Sequence, residues 1–117
     1  AVKGGQLGKK GRLSICTQRG GATTGNATVR MAIGGSVIHV HTTSTAPYAE
    51  LRQTMRNRDS ESKQLGLGQV DGVLTSTAPN ALTIDTSIDQ QVSLTGQLSL
   101  AGGVLIIYAA EAEILRK

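Results

Sequence analysis

The chain has 117 residues, a net charge of +4 and only two aromatic residues, with no Phe and no Trp. A chain of this length forms one domain, and without large aromatic side chains its core has to be mainly aliphatic. The single cysteine, Cys16, excludes an internal disulfide, and no apolar run is long enough to span a membrane. The 15 glycines and the frequent Ser and Thr residues favour short strands and turns over helices.

Residues 1–11 have the composition of a flexible segment. Glycines interrupt any regular structure in it, and Lys3, Lys9 and Lys10 make it positive. We therefore predict a flexible basic arm over residues 1–11 and a folded domain over residues 12–117. The start at Ala1 and the lack of a signal-peptide pattern lead us to expect synthesis in the cytoplasm.

Apolar and polar residues alternate from Arg12 onward. Leu13, Ile15 and Thr17 fall on one side of an extended chain, which is the pattern of a strand with one buried face. The same alternation predicts strands over residues 28–33, 36–42, 49–56, 63–69, 72–75 and 82–86. Residues typical of turns, mainly Gly, Asn, Asp, Ser and Pro, lie between these segments.

Residues 90–115 have the clearest strand pattern in the chain. Val92 and Leu94 alternate with polar residues in a first strand, and Glu111 and Glu113 share one face of a second strand. A tight Ala-Gly-Gly turn separates the two, so we predict that they form a hairpin.

The second of these strands begins with a run that is apolar on both faces. Because a strand face of this kind needs cover, we expect a second sheet, a loop or another subunit to lie against it. Val104, Leu105 and Ile107 are therefore candidate contact residues. A homodimer or homotrimer would provide the cover and would also support a core that lacks large aromatic side chains.

About eight strands at spacings near ten residues, with no helical segment, predict an all-β fold. An antiparallel β-sandwich is the architecture that fits this pattern best. The spacing alone leaves open whether the sandwich is a jelly roll or an immunoglobulin-like fold, and it does not give the strand order.

His39 and His41 are the sharpest indication of chemistry in the chain. Residues at i and i+2 of a strand point to the same face, so both imidazoles could reach one metal, as in a cupin. The chain has no third histidine, and the remaining ligands would have to come from Glu50, Asp85 or Asp89. We favour a half-buried or interface pair that is sensitive to pH, and we predict no catalytic residue, cofactor or metal ligand.

Basic residues recur along the chain in positions that suit docking. Arg52 and Arg56 lie on one predicted strand face and Arg58 follows at the turn, while Arg12 adds to the lysines of the arm. Nucleic-acid binding would also use aromatic stacking platforms, of which this chain has very few. We expect these residues to dock onto an acidic protein surface; the alternative is that they are solvated strand faces.

Two stretches of the sequence resemble a known class of proteins. AELRQTMRNRDSESKQLGLG (49–68) and IDTSIDQQVSLTGQLSLAGGVLIIYAAEAEIL (84–115) are similar to segments of the small jelly-roll virion proteins of tailed double-stranded DNA bacteriophages. In size the chain is most similar to their capsid cement, staple or decoration proteins. The resemblance implies a jelly-roll sandwich and a non-enzymatic homodimer or homotrimer. It also implies synthesis in the host bacterial cytoplasm and a place on the capsid exterior, where the protein clamps neighbouring major capsid subunits.

The function predicted from the sequence is therefore that of a capsid cement protein. Its partners would be the major capsid protein and copies of itself, with no direct contact to nucleic acid or membrane. Two alternatives stay open: a small cupin-like metal-binding protein that uses His39 and His41, and a trimeric phage fibre or receptor-binding module.

Overall fold

Nine strands and no helix make up the regular structure of a computed structural model, which describes residues 2–20, 25–43, 48–75, 80–99 and 103–115. No helix in these ranges is therefore long and apolar enough to cross a membrane. The strands are β1 (Arg12–Gly20), β2 (Ala27–Ile33), β3 (Ser36–Thr43), β4 (Tyr48–Asn57), β5 (Gln64–Val70), β6 (Val73–Leu74), β7 (Asn80–Leu82), β8 (Val92–Leu98) and β9 (Ile106–Leu115).

The strands form two antiparallel sheets, which confirms the predicted β-sandwich. The large sheet has the order β6-β5-β4-β1-β9, with β7 also paired to β5, and the small sheet has the order β3-β2-β8. The first strand pairs with the last and the second with the penultimate.

Alternation along the strands builds the core as the sequence predicts. The buried side chains of β1 and β4 come from every second residue and face those of β2 in the other sheet. These core residues are Leu13, Ile15, Val29, Met31, Ile33, Leu51 and Met55.

The structure corrects the predicted hairpin over residues 90–115. β8 pairs with β2 in the small sheet, whereas β9 pairs with β1 in the large sheet. Val92 and Leu94 of β8 pack against the core from one sheet and Ile114 of β9 packs against it from the other. An alternating pattern identifies a strand but not its partner, and here the two strands are edge strands of opposite sheets. Part of the predicted turn lies outside the described residues.

The structure also corrects the flexible arm predicted over residues 1–11. Val2 is 3% exposed and Leu7 is 1% exposed, and both belong to the hydrophobic core. The Val2 N–H donates to the Gln90 carbonyl at 2.7 Å, and the Gln90 N–H donates back to the Val2 carbonyl at 2.8 Å. Positive φ angles at glycines of this segment let the chain turn tightly enough to bury both side chains. Residues 2–11 are therefore part of the domain.

We expect Leu7→Ala to destabilise the protein by about 2–5 kcal/mol, because it leaves a cavity in the core. The matched control is Lys9→Ala, in which an exposed side chain two residues away is removed; it should change the free energy of unfolding by less than about 0.5 kcal/mol. Urea unfolding followed by circular dichroism measures both. Equal stabilities for the two variants would mean that the segment is not packed in solution.

Candidate interaction surfaces

The last strand, β9, is an unprotected edge of the large sheet. It pairs with β1 along one side, and in the described part of the chain no strand pairs with its other side. Its ten residues include exposed apolar side chains, among them Ile106 and Ile107. An edge of this length with free N–H and C=O groups is a template on which another chain can add a strand.

An apolar groove runs beside this edge, between the two sheets. Its volume is about 290 Å³, and Ile15 lines it together with Val92 and Leu94 of β8 and Ala110 and Ala112 of β9. The two alanines are on the same side of the large sheet as the core, yet both are exposed. The sandwich is therefore open along the side where β8 and β9 form the two sheet edges.

The predicted contact residues at the start of β9 divide into two kinds. Leu105 is partly buried and packs against the core, so the chain itself covers it. Val104 and Ile107 are exposed. That another subunit covers these two side chains stays a prediction.

The predicted basic residues also fall into separate groups. Arg12 and Arg56 are register partners on the outer face of the large sheet, where Arg52 also lies, with its guanidinium 3.8 Å from the Glu50 carboxylate. Lys10 forms an ion pair with Asp59, close to Arg58 at the turn after β4.

One lysine of the predicted arm, Lys3, has its ion-pair partner away from the arginines. Lys3 pairs with Asp89 at 3.9 Å, and Lys9 is exposed. The structure therefore brings together the arginines and Lys10, but it does not bring Lys3 to them.

Tyr48 and Tyr108, the only aromatic residues of the chain, lie against each other on the protein surface. Their ring centroids are 5.7 Å apart, and each side chain is 56% exposed. A register shift between Gln18 and Arg19 makes Tyr108 the extra residue of a β-bulge, and Gly20 leaves space beside Tyr48. Sequence reasoning missed this pair because the pairing of β9 with β1 and the bulge leave no local signal.

The two histidines face inward from β3 and contact different strands of the large sheet. His39 is 6% exposed, and its Nδ1 lies 3.2 Å from the Gln53 Oε1. The Nδ1 of His41 lies 3.3 Å from an Nη1 of Arg19, which also donates to the carbonyl oxygens of Ala27 and His41 at 3.1 Å. Arg19 is a further buried residue that sequence reasoning missed.

The carboxylates that could complete a metal site lie elsewhere. Glu50 contacts Arg52 on the outer face, Asp89 contacts Lys3 and the Gly4 N–H, and Asp85 accepts from Ser87. In the ranges that the structure describes, no three His, Cys, Asp or Glu side chains are grouped so that they could hold a metal ion.

Burial lowers the pKa of both histidines below the ordinary value. For His41 the neighbouring charges of Arg19 and His39 lower the pKa further, while Asp71 opposes the shift; for His39 the contact with Gln53 opposes it. Burial therefore opposes protonation of both imidazoles in the folded protein, and a proton on His41 would place a second positive charge beside the buried Arg19.

A comparison of the chain with protein-family models, with curated proteins and with solved structures finds no match.

We expect the protein to lose stability as the pH falls through about 6.5, the ordinary histidine value. The unfolded chain takes up protons at that pH, whereas the folded chain resists protonation at His39 and His41, so acid favours unfolding. Thermal unfolding between about pH 7.5 and about pH 5.5 measures the effect. A His39→Gln/His41→Gln variant should show a flatter dependence on pH, whatever its absolute stability. If the melting temperature of the variant changed with pH as steeply as that of the unsubstituted protein, the two histidines would not be the cause of the pH dependence.

Proposed function

We propose that this protein is a non-enzymatic structural component of a virus particle. In this proposal it binds the outside of the capsid lattice of a tailed double-stranded DNA phage and joins neighbouring major capsid subunits. The resemblance of residues 49–68 and 84–115 to small jelly-roll virion proteins of tailed phages, and the similarity in size to their cement proteins, support the virus assignment.

The observation that carries the proposal is the open side of the sandwich. A ten-residue edge strand with exposed apolar side chains lies beside an apolar groove, and both favour the binding of another chain. An isolated protein that kept such an edge would be prone to aggregation, so a lattice-bound state that covers it makes physical sense. Weak contacts of this kind, repeated over a shell, also gain strength from multivalency.

Strand addition is the contact that the geometry favours. A segment of a neighbouring subunit would pair its backbone with the free side of β9 and insert apolar side chains between Leu94 and Ala112. The backbone hydrogen bonds would supply affinity, and the shape of the groove would select the side chains.

The copy number of the protein in purified virus particles tests the proposal. A cement protein should be present at a level comparable with that of the major capsid protein, which quantitative mass spectrometry of gradient-purified particles can measure. Absence of the protein from the particles would overturn the proposal.

We expect Ala112→Lys to remove the protein from particles while leaving the fold intact. The substitution places a charge in the groove at an exposed position, and inward-pointing charges are a known means of blocking strand addition. Val40→Lys is the control, since Val40 is an exposed residue of β3, the edge strand on the other side of the small sheet. Equal incorporation of both variants would exclude the groove as the contact.

A receptor-binding or fibre module is the second candidate, because the exposed Tyr48–Tyr108 pair would suit a binding face. The same copy-number measurement separates the two functions, since a fibre is present in few copies per particle. Affinity for a surface sugar that is lost in Tyr48→Ala would support the fibre.

A further inference from the structure

Two arginines lie directly opposite each other on the outer face of the large sheet. Arg12 of β1 and Arg56 of β4 are register partners, so their side chains leave the same face side by side. Like charges in this position destabilise a sheet. The contact between these two arginines therefore does not stabilise the fold.

No Asp or Glu side chain in the described ranges neutralises this pair. All eight Asp and Glu residues lie within the described ranges, and none has an oxygen within 4.0 Å of a side-chain nitrogen of Arg12, Arg56 or Arg58. Arg52 on the same face has Glu50 as its partner, and Lys10 has Asp59. The positive charge of Arg12 and Arg56 is therefore available to a partner.

The surroundings of the pair are apolar on one side and cationic on the other. A groove of about 260 Å³ is lined by Arg12, Thr54, Arg56, Leu65 and Leu67. A second groove of about 270 Å³ shares Arg56 and is also lined by Lys10, Asn57, Arg58 and the carboxylate of Asp59, the partner of Lys10. A ligand that fills the first groove would meet two guanidinium groups, a hydroxyl and two leucine side chains.

We infer that this basic groove binds an acidic and aliphatic segment of a partner protein. A carboxylate between Arg12 and Arg56 would accept charge-assisted hydrogen bonds from both, and an adjacent aliphatic side chain would cover Leu65 and Leu67. The inference deepens the proposed function, on which it rests, by giving the chemistry of a partner surface on the lattice.

The same features disfavour a nucleic acid as the ligand. Leucine side chains offer no hydrogen bond to phosphate or sugar, and stacking of bases requires aromatic side chains. The Tyr48–Tyr108 pair lies at the other end of β4, eight residues from Arg56, which is about 26 Å along a strand. It is too far away to hold a base whose phosphate binds at the arginines.

Fluorescence anisotropy of the full chain with labelled probes tests the inference. The probes are a short peptide that repeats Ser-Glu-Leu-Glu, a matched peptide that repeats Ser-Gln-Leu-Gln, and a single-stranded oligo(dT). We expect binding of the glutamate peptide only, with an affinity that falls as salt is added. Equal binding of the glutamine peptide, preferred binding of the oligonucleotide, or no binding of any probe would overturn the inference.

The double variant Arg12→Gln/Arg56→Gln should weaken binding of the glutamate peptide by roughly tenfold or more. Arg30→Gln is the matched control, because Arg30 lies on the small sheet, where its Nη1 donates to Gln97 at 2.9 Å; it should change the affinity by less than about twofold. Equal weakening by the control would overturn the inference.

Thermal unfolding separates a binding role from a structural one. Removal of the opposed charges should leave the melting temperature of the double variant unchanged or raised. A lowered melting temperature would mean that the pair stabilises the sheet, and would contradict the inference. Failure of peptide binding in a protein that still enters virus particles would overturn this inference alone, whereas absence from particles would overturn the proposed function.

Discussion

The two sheets of this protein differ in width, and that difference determines which parts of the core are closed. The large sheet is five strands wide along β6-β5-β4-β1-β9, while the small sheet has three strands. A three-stranded sheet can cover only about three strands of the larger sheet. The inner faces of the outermost strands of the large sheet therefore need cover from elsewhere. Exposed apolar area is unfavourable in water. At each edge of the large sheet, the inner face is therefore either covered by another part of the chain or left exposed.

The flank at β5 is covered by the chain itself. Residues 2–11 lie beside the loop that precedes β8, and a buried network of side-chain amides joins them to the sheet. Asn57 donates to the Gly8 carbonyl and to Thr86, while Gln64 exchanges hydrogen bonds with the backbone of Ile84. These bonds satisfy polar groups that would otherwise be costly to bury. The flank at β9 has no equivalent cover among the described residues, and the exposed alanines of β9 are the result.

Local sequence patterns predicted the strands of this fold, but not how the strands pair. The existence of most strands followed from period-2 alternation, because each strand buries one face. The partner of a strand did not follow, since β8 and β9 have the same local pattern whether they pair with each other or oppose each other across the core. Val2 and Leu7 were missed because two apolar residues among glycines carry no periodicity. Arg19 was missed because a buried arginine is rare and depends on carbonyl oxygens contributed by other strands.

We propose that a strand of another subunit pairs with the free side of β9, and amide hydrogen exchange can detect this pairing residue by residue. In an antiparallel edge strand, alternate N–H groups bond to the neighbouring strand while the others face solvent. We expect alternating slow and fast exchange along Ile106–Leu115 in the isolated protein, and slow exchange throughout this strand when the protein is bound to virus particles. Uniformly slow exchange in the isolated monomer, or unchanged fast exchange in the particles, would contradict it.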